Sequence, residues 1–119
     1  MDAIMMTLNQ RFDGMARLAF SPLKARGWKA VLQYFIEGPG GGDHYLVIKD
    51  QTCTHYEGIA DEPTLTVTAT VEDWRAIGEG RLDGTEAYLS GKMRVSGNMN
   101  DLFRMQAVFA TIREDELHE

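Results

Sequence analysis

Apolar side chains change their spacing along this chain near residue 28. Over residues 2–19 they recur at helical spacing, which predicts an amphipathic helix. The apolar stripe of this helix is Ile4, Leu8, Phe12, Met15 and Ala19. Its polar side is filled by Asn9, Gln10, Arg11, Asp13 and Arg17. Ser21-Pro22 and Gly27 then interrupt the pattern and end the helix.

From residue 28 the period becomes two, which predicts β-strands. A first strand over residues 28–37 would place Trp28, Ala30, Leu32, Tyr34 and Ile36 on one apolar face. The glycine-rich residues 38–42 predict a loop to a second strand at 44–49. Asp50-Gln51 predicts a tight turn into a third strand at 52–57.

Further along, strands and short helices alternate. Leu65, Val67, Ala69 and Val71 alternate with threonines, which predicts a half-buried fourth strand. Thr70 is placed to cap a short helix that buries Trp74 and Ile77. Asp83 begins another short helix, and residues 92–96 form a fifth strand.

A last helix is predicted after Asn98, which is a residue type that caps helices. Its apolar residues are Met99, Leu102, Phe103, Met105, Val108, Phe109 and Ile112. Strands and helices are segregated along the chain, so we expect an α+β fold with a largely antiparallel sheet. A length of 119 residues fits a single domain over residues 1–119.

Charge and cysteine content narrow the possible partners and compartment. The net charge of −6 argues against nucleic acid, whose phosphates require a basic surface. Cys53 is the single cysteine, so no intrachain disulfide can form, and a reducing, cytoplasmic compartment is expected. No leader pattern for secretion follows Asp2, and no stretch approaches the ~20 apolar residues of a membrane span.

The sequence contains several residues that could form a chemical site. The predicted register places His44, Cys53, His55 and Glu57 on one sheet face, and such side chains can bind zinc. Leu46 and Ile48 interrupt that face, so a half-exposed sheet edge without metal is expected instead. The glycine loop lacks the ending of a phosphate-binding loop, and Ser90 and Ser96 lie in no nucleophile elbow. We therefore expect no catalytic residue, no metal and no cofactor.

Three stretches of the second half carry a family resemblance. Residues 62–74 read EPTLTVTATVEDW, residues 80–84 read GRLDG, and residues 89–99 read LSGKMRVSGNM. Together they resemble the sterol-carrier-protein type-two family, and the order of the upstream elements agrees with it. The resemblance implies a five-stranded sheet covered on one face by helices and enclosing an apolar tunnel. It also implies no catalytic activity.

The function implied by the resemblance is binding or transfer of an apolar ligand. Candidate ligands are fatty acids, acyl-CoAs, phospholipids, sterols and isoprenoid lipids. The apolar faces suggest the ligand-binding residues Leu32, Tyr34, Ile36, Leu65, Val67, Trp74, Met93, Met99, Leu102, Phe103 and Met105. The alternative is an accessory protein of lipid or quinone metabolism that uses its apolar face to form a homodimer or to contact an enzyme. The methionines suit a variable ligand but could also fill an ordinary core.

Overall fold

The computed structural model describes residues 7–110, and a five-stranded sheet forms its centre. The strands are β1 (Ala30–Glu37), β2 (Gly42–Lys49), β3 (Thr52–Glu57), β4 (Leu65–Thr70) and β5 (Met93–Gly97). Their spatial order is β3-β2-β1-β4-β5. The neighbours β1 and β4 run parallel, and the other three pairs are antiparallel. The α+β class with a mostly antiparallel, five-stranded sheet is thus confirmed.

The turn between β2 and β3 fixes the register of this hairpin. Asp50 and Gln51 have positive φ angles of 51° and 60°, as a type I′ turn requires at its two central positions. His44 consequently pairs with Glu57, as the sequence predicted. Leu46 pairs with His55, so both histidines lie on the same face of the sheet.

The first helix begins at a capping box. The amide of Gln10 donates to Oγ1 of Thr7 at 3.1 Å, and the Gln10 side chain accepts from the Thr7 amide at 2.9 Å. α1 (Leu8–Gly14) continues directly into a π-helical turn, Met15–Ala19, closed by a 2.9 Å bond from the Phe20 amide to the Met15 carbonyl. Residues 2–6 of the predicted helix lie outside the described residues.

The remaining helices begin where the sequence predicted caps. α2 (Val71–Gly78) is capped by Thr70, α3 (Gly84–Leu89) by Asp83 and α4 (Met99–Val108) by Asn98. The three cap bonds measure 3.1, 3.0 and 2.9 Å. None of the helices in residues 7–110 is long and apolar enough to span a bilayer.

Several predicted boundaries were wrong. Val71, expected in the fourth strand, is the first residue of α2, because the cap at Thr70 ends β4. β1 begins at Ala30, because Trp28 lies in the connection that precedes it. Phe109 adopts an extended conformation after α4 and forms an isolated bridge with Phe20, so it is not helical. The two phenyl rings lie 5.6 Å apart, and this contact between distant segments ends the helix. Ile112 lies outside the described part of the chain.

Helices cover one face of the sheet and bury its apolar side chains. Phe12 of α1 lies at the centre of this core, fully buried. Its ring lies 5.0 Å from the ring of Tyr34 and 5.4 Å from that of Trp74. These contacts join α1, β1 and α2, and they place the helices around the cavity described next.

Candidate functional site

A cavity of about 520 Å³ lies among the helices beside the edge of the sheet. Its walls come from α1 and the π-helical turn, α2, the connection to α3, β5 and α4. The larger apolar side chains that line it are Met15, Trp74, Ile77, Leu82, Met93, Met105 and Phe109. This volume lies in the range of small-molecule binding sites.

Glycines leave the space that the cavity occupies. Gly14, Gly78, Gly80 and Gly84 all line it, and none of them contributes a side chain to fill it. Gly80 also has a positive φ of 80°, which lets the chain turn away after α2. These four positions therefore add backbone but no side-chain volume to the cavity wall.

Three methionines form adaptable parts of the wall. Met15, Met93 and Met105 approach from three different elements, and their thioether side chains adjust readily to the shape of a neighbour. The hydroxyl of Tyr34 donates to Sδ of Met105 at 3.0 Å. This bond holds the Met105 sulfur against β1.

The polar part of the cavity centres on Arg11. Its guanidinium lies 3.3 Å from the carboxylate of Glu79, and both side chains are mostly buried. Glu79 also binds Arg81 at 2.9 Å. The polar residues that line the cavity are Arg11, Asp83 and Gln106, and Glu79 and Arg81 do not line it. A ligand with one polar end could meet both hydrogen-bond donors and acceptors here.

The helical pattern places Arg11 on the polar side of the first helix, which normally faces solvent. The structure instead buries it, with its guanidinium beside Gly78 of α2 and paired with Glu79. Arg11 is thus a cavity residue that the helical pattern missed. Glu79, which pairs with Arg11, lies 68 positions away, so no local sequence pattern could predict this ion pair.

Of the eleven proposed ligand-binding residues, the structure brings three to the cavity wall: Trp74, Met93 and Met105. Seven others lie elsewhere in or against the core: Leu32, Tyr34, Ile36, Leu65, Val67, Met99 and Leu102. Phe103 lies 61% exposed on α4. The buried face of α4 carries Leu102, Met105 and Val108, and Phe103 points away from it.

The histidines of β2 and β3 lie apart from this cavity. Nδ1 of His44 is 2.8 Å from Nε2 of His55, and Nδ1 of His55 is 2.6 Å from Oδ1 of Asp13. The expectation of a half-exposed edge is wrong for His44, which is 5% exposed because Phe12 stacks on it at 4.7 Å. Within residues 7–110 no group of three or more potential ligands is arranged to hold a metal ion.

Two other titratable groups of the sheet are held in their neutral forms. Burial raises the pKa of the Cys53 thiol to about 12. Burial, followed by the nearby Cys53, raises the pKa of Tyr34 well above its ordinary value. Both groups are therefore protonated at neutral pH, and neither brings charge to the core beneath the helices.

Comparison with known proteins agrees with this geometry. A model of the SCP-2 sterol transfer family matches residues 17–110. Hydroxysteroid dehydrogenase-like protein 2 from Bos taurus is 29% identical over 72 residues, which is 60% of this chain and 17% of that protein.

Several solved structures share the fold, including the two described next. The sec-alkylsulfatase Pisa1 from Pseudomonas sp. has a TM-score of 0.79 at 21% identity, covering 91% of this chain and 17% of the sulfatase. Palmitated SCP2L2 from Aedes aegypti has a TM-score of 0.68 at 19% identity, covering 92% of this chain and 100% of the other. This chain thus spans about a sixth of the two longer proteins and all of the smaller one. The sheet, the helices and the family match together show that the chain belongs to the SCP-2 sterol transfer family.

Proposed function

We propose that this chain binds and carries an apolar ligand in the cavity between its helices and its sheet. The observation that supports this most directly is the cavity itself, about 520 Å³ with predominantly apolar, methionine-containing walls. Fatty acyl chains, sterols and other lipids are the ligand classes that fit such walls. Membership of a sterol transfer family and the palmitated state of the Aedes aegypti structure support the same ligand classes.

The energetics favour a ligand with a large hydrocarbon part. Each methylene that leaves water contributes about 0.8 kcal/mol, so a ten-carbon segment offers about 8 kcal/mol before the entropic cost of binding. This is comparable to the stability of a whole small domain. A bound hydrocarbon ligand would therefore be removed from water and would also stabilise the folded protein.

The polar lining supports a ligand with a polar end. Arg11 lines the cavity and its charge is compensated by Glu79, so the guanidinium offers directional hydrogen bonds without a large net field. Apolar contacts with Met93 and Met105 would hold the hydrocarbon of the ligand, and Arg11 would orient the ligand's polar end. Affinity would then come mainly from the hydrocarbon and orientation from the headgroup.

We infer a binding domain and not a catalyst. The inference is supported by Cys53, whose thiol is protonated, and by His44, which is stacked under Phe12 and does not line the cavity. No reaction is needed to account for the residues that do line it.

A second candidate function is that of an accessory domain for an enzyme. The relatives from Bos taurus and Pseudomonas sp. are about six times longer than the matched region, so a related domain is a small part of each. In this alternative, the chain would present a lipid to a partner or to a second copy of itself. Both functions use the same cavity, and they differ in whether a partner is required.

The proposal can be tested with a variant that fills the cavity. Ile77→Trp would place a large side chain into the lumen, and Leu89→Trp is a matched control because Leu89 is 78% exposed and does not line the cavity. Binding of palmitate is measured by its displacement of a fluorescent fatty acid. We expect palmitate to bind the parent chain and the control but not Ile77→Trp. Equal binding by both variants, with unchanged circular dichroism, would place the ligand elsewhere. No binding by any of the three proteins would contradict the proposed function.

A further inference from the structure

Three side chains form a continuous hydrogen-bonded chain between α1 and the sheet. Asp13 of α1 lies 2.6 Å from Nδ1 of His55 on β3, and Nε2 of His55 lies 2.8 Å from Nδ1 of His44 on β2. The two imidazoles are well shielded from water: His44 is 5% exposed, and so is the side chain of His55. The carboxylate of Asp13, at 48%, stays accessible.

Phe12 covers this chain from above. Its ring stacks on His44 at 4.7 Å and on His55 at 5.5 Å, with interplanar angles of 17° and 21°. Phe12 and Asp13 are adjacent in α1, so one residue supplies the apolar cover and the next supplies the acceptor. The attachment of α1 to β2 and β3 therefore depends on the state of the two rings.

The geometry determines where protons can sit. A carboxylate only accepts, so Nδ1 of His55 carries a hydrogen that it donates to Asp13. In the neutral ring Nε2 of His55 then accepts, and Nδ1 of His44 donates to it. If His55 gains a proton, its Nε2 donates instead, and Nδ1 of His44 accepts. Both hydrogen bonds, between His55 and Asp13 and between His55 and His44, therefore persist with no extra proton or with one extra proton shared by the two histidines.

A second extra proton breaks the arrangement. Both facing nitrogens would then be donors at 2.8 Å, and two cations would stack beneath the same phenyl ring. The charged groups around His44 besides His55 are Glu57, Asp43 and Asp13, and all three favour a positive charge on it. Burial and His55 oppose that charge more strongly, so the pKa of His44 is lowered from its ordinary value of 6.5.

We propose that Asp13, His55 and His44 form a proton-operated latch that holds α1 on the sheet, and that double protonation of the two histidines releases α1 and opens the cavity. The link to the cavity is direct, because Arg11 and Gly14 of the same helix line it. The part of the proposal that concerns ligand release rests on the proposed function. The part that concerns α1 does not require a ligand.

Hydrogen exchange of the ligand-free chain tests the latch itself. Between about pH 7.5 and about pH 5, the range in which histidine changes charge, we expect protection factors over α1 and the π-helical turn to fall at least about tenfold. Protection in β1 and β4 should change much less. Unchanged protection of α1 over this range would overturn the proposal.

A matched pair of variants locates the titrating group. His44→Phe keeps a ring under Phe12 but cannot be charged, so we expect it to keep α1 protected at the lower pH. His118→Phe removes the third histidine, which lies outside the described residues, and should behave like the parent chain. Full pH dependence in His44→Phe would overturn the assignment to this pair.

Nitrogen NMR of the histidine rings covers the case in which His44→Phe does not fold. We expect the two rings of the parent chain to carry no more than one extra proton while α1 remains protected. Two imidazolium rings together with a fully protected α1 would overturn the latch.

Palmitate dissociation tests the consequence for the ligand. We expect its rate to rise at least about tenfold over the same pH range in the parent chain and in His118→Phe, but not in His44→Phe. Release of α1 without faster dissociation would overturn the link to the cavity. Failure of palmitate to bind at any pH would contradict the proposed function, and the exchange data alone would then decide the latch.

Discussion

The indole Nε1 of Trp28 donates a hydrogen bond of 2.9 Å to Oδ1 of Asp101, joining two buried residues 73 positions apart. The guanidinium of Arg104 lies 5.4 Å from the centre of the Trp28 ring and also donates to the carbonyls of Lys24 and Arg26. These contacts fasten α4 to the connection before β1. Since α4 carries Met105, they also hold one wall of the cavity in place.

Removing the acceptor of this bond should destabilise the domain. Asp101→Ala leaves a buried indole N–H without a partner, which costs about 1–3 kcal/mol. Asn100→Ala, at the exposed neighbouring position, should change stability by no more than about 0.5 kcal/mol. Urea unfolding followed by circular dichroism measures both. Equal stabilities for the two variants would show that the Trp28–Asp101 bond contributes little.

Glu79 pairs with two arginines that differ in their exposure to solvent, so the two ion pairs show how burial affects stability. Arg11 is 8% exposed and Arg81 is 57% exposed, and both bind the same carboxylate. We expect Arg11→Leu to lower the free energy of unfolding by about 3 kcal/mol, because a buried pair loses one charge. Arg81→Leu should cost at most about 1 kcal/mol, since water screens an exposed pair. Similar losses in urea unfolding would refute the role assigned to burial.

The lowered pKa of His44 predicts that stability falls in acid. The unfolded chain takes up a proton near the ordinary value of 6.5, whereas the folded chain takes it up only at lower pH. The stabilisation is therefore complete above about pH 6.5 and is lost progressively as pH falls toward the folded pKa. Urea midpoints measured across this range should decrease in the parent chain. The decrease should be smaller in His44→Phe, and identical slopes would exclude His44 as its source.

Cys53 should react slowly while the protein is folded. Its pKa is raised from 9.0 to about 12, a difference of about three units, so the thiolate fraction near pH 8 falls about a thousandfold. Alkylation by iodoacetamide, followed by intact-mass spectrometry, should be slower in the native chain than in urea by about a hundredfold or more. Comparable rates would mean that β3 opens readily at this edge.

Much of the fold was predictable because its signals are local. The Asp50-Gln51 turn and the caps Thr70, Asp83 and Asn98 depend on bonds between residues a few positions apart. Alternation in β1 and β4 reports which side chains face the core, and this pattern is carried by each strand alone. The family resemblance in residues 62–99 likewise needed no tertiary contact.

The candidate site was less predictable, because its residues meet only after folding. Helical spacing identified Met105 and Phe103 as apolar residues of one helix, but packing alone separates the buried thioether from the exposed ring. The helical pattern places Arg11 on a polar face, and only the folded structure shows that Gly78 and Glu79 lie against it.

The sequence by itself determined the elements, their order and the family, since each depends on short-range spacing and residue type. Tertiary structure decided which polar groups became partners. Asp13, His55 and His44 have no common motif, and their hydrogen bonds exist because α1 crosses the strands that carry the histidines. Burial then gives these contacts their energetic weight, because it removes the water that would otherwise compete for them.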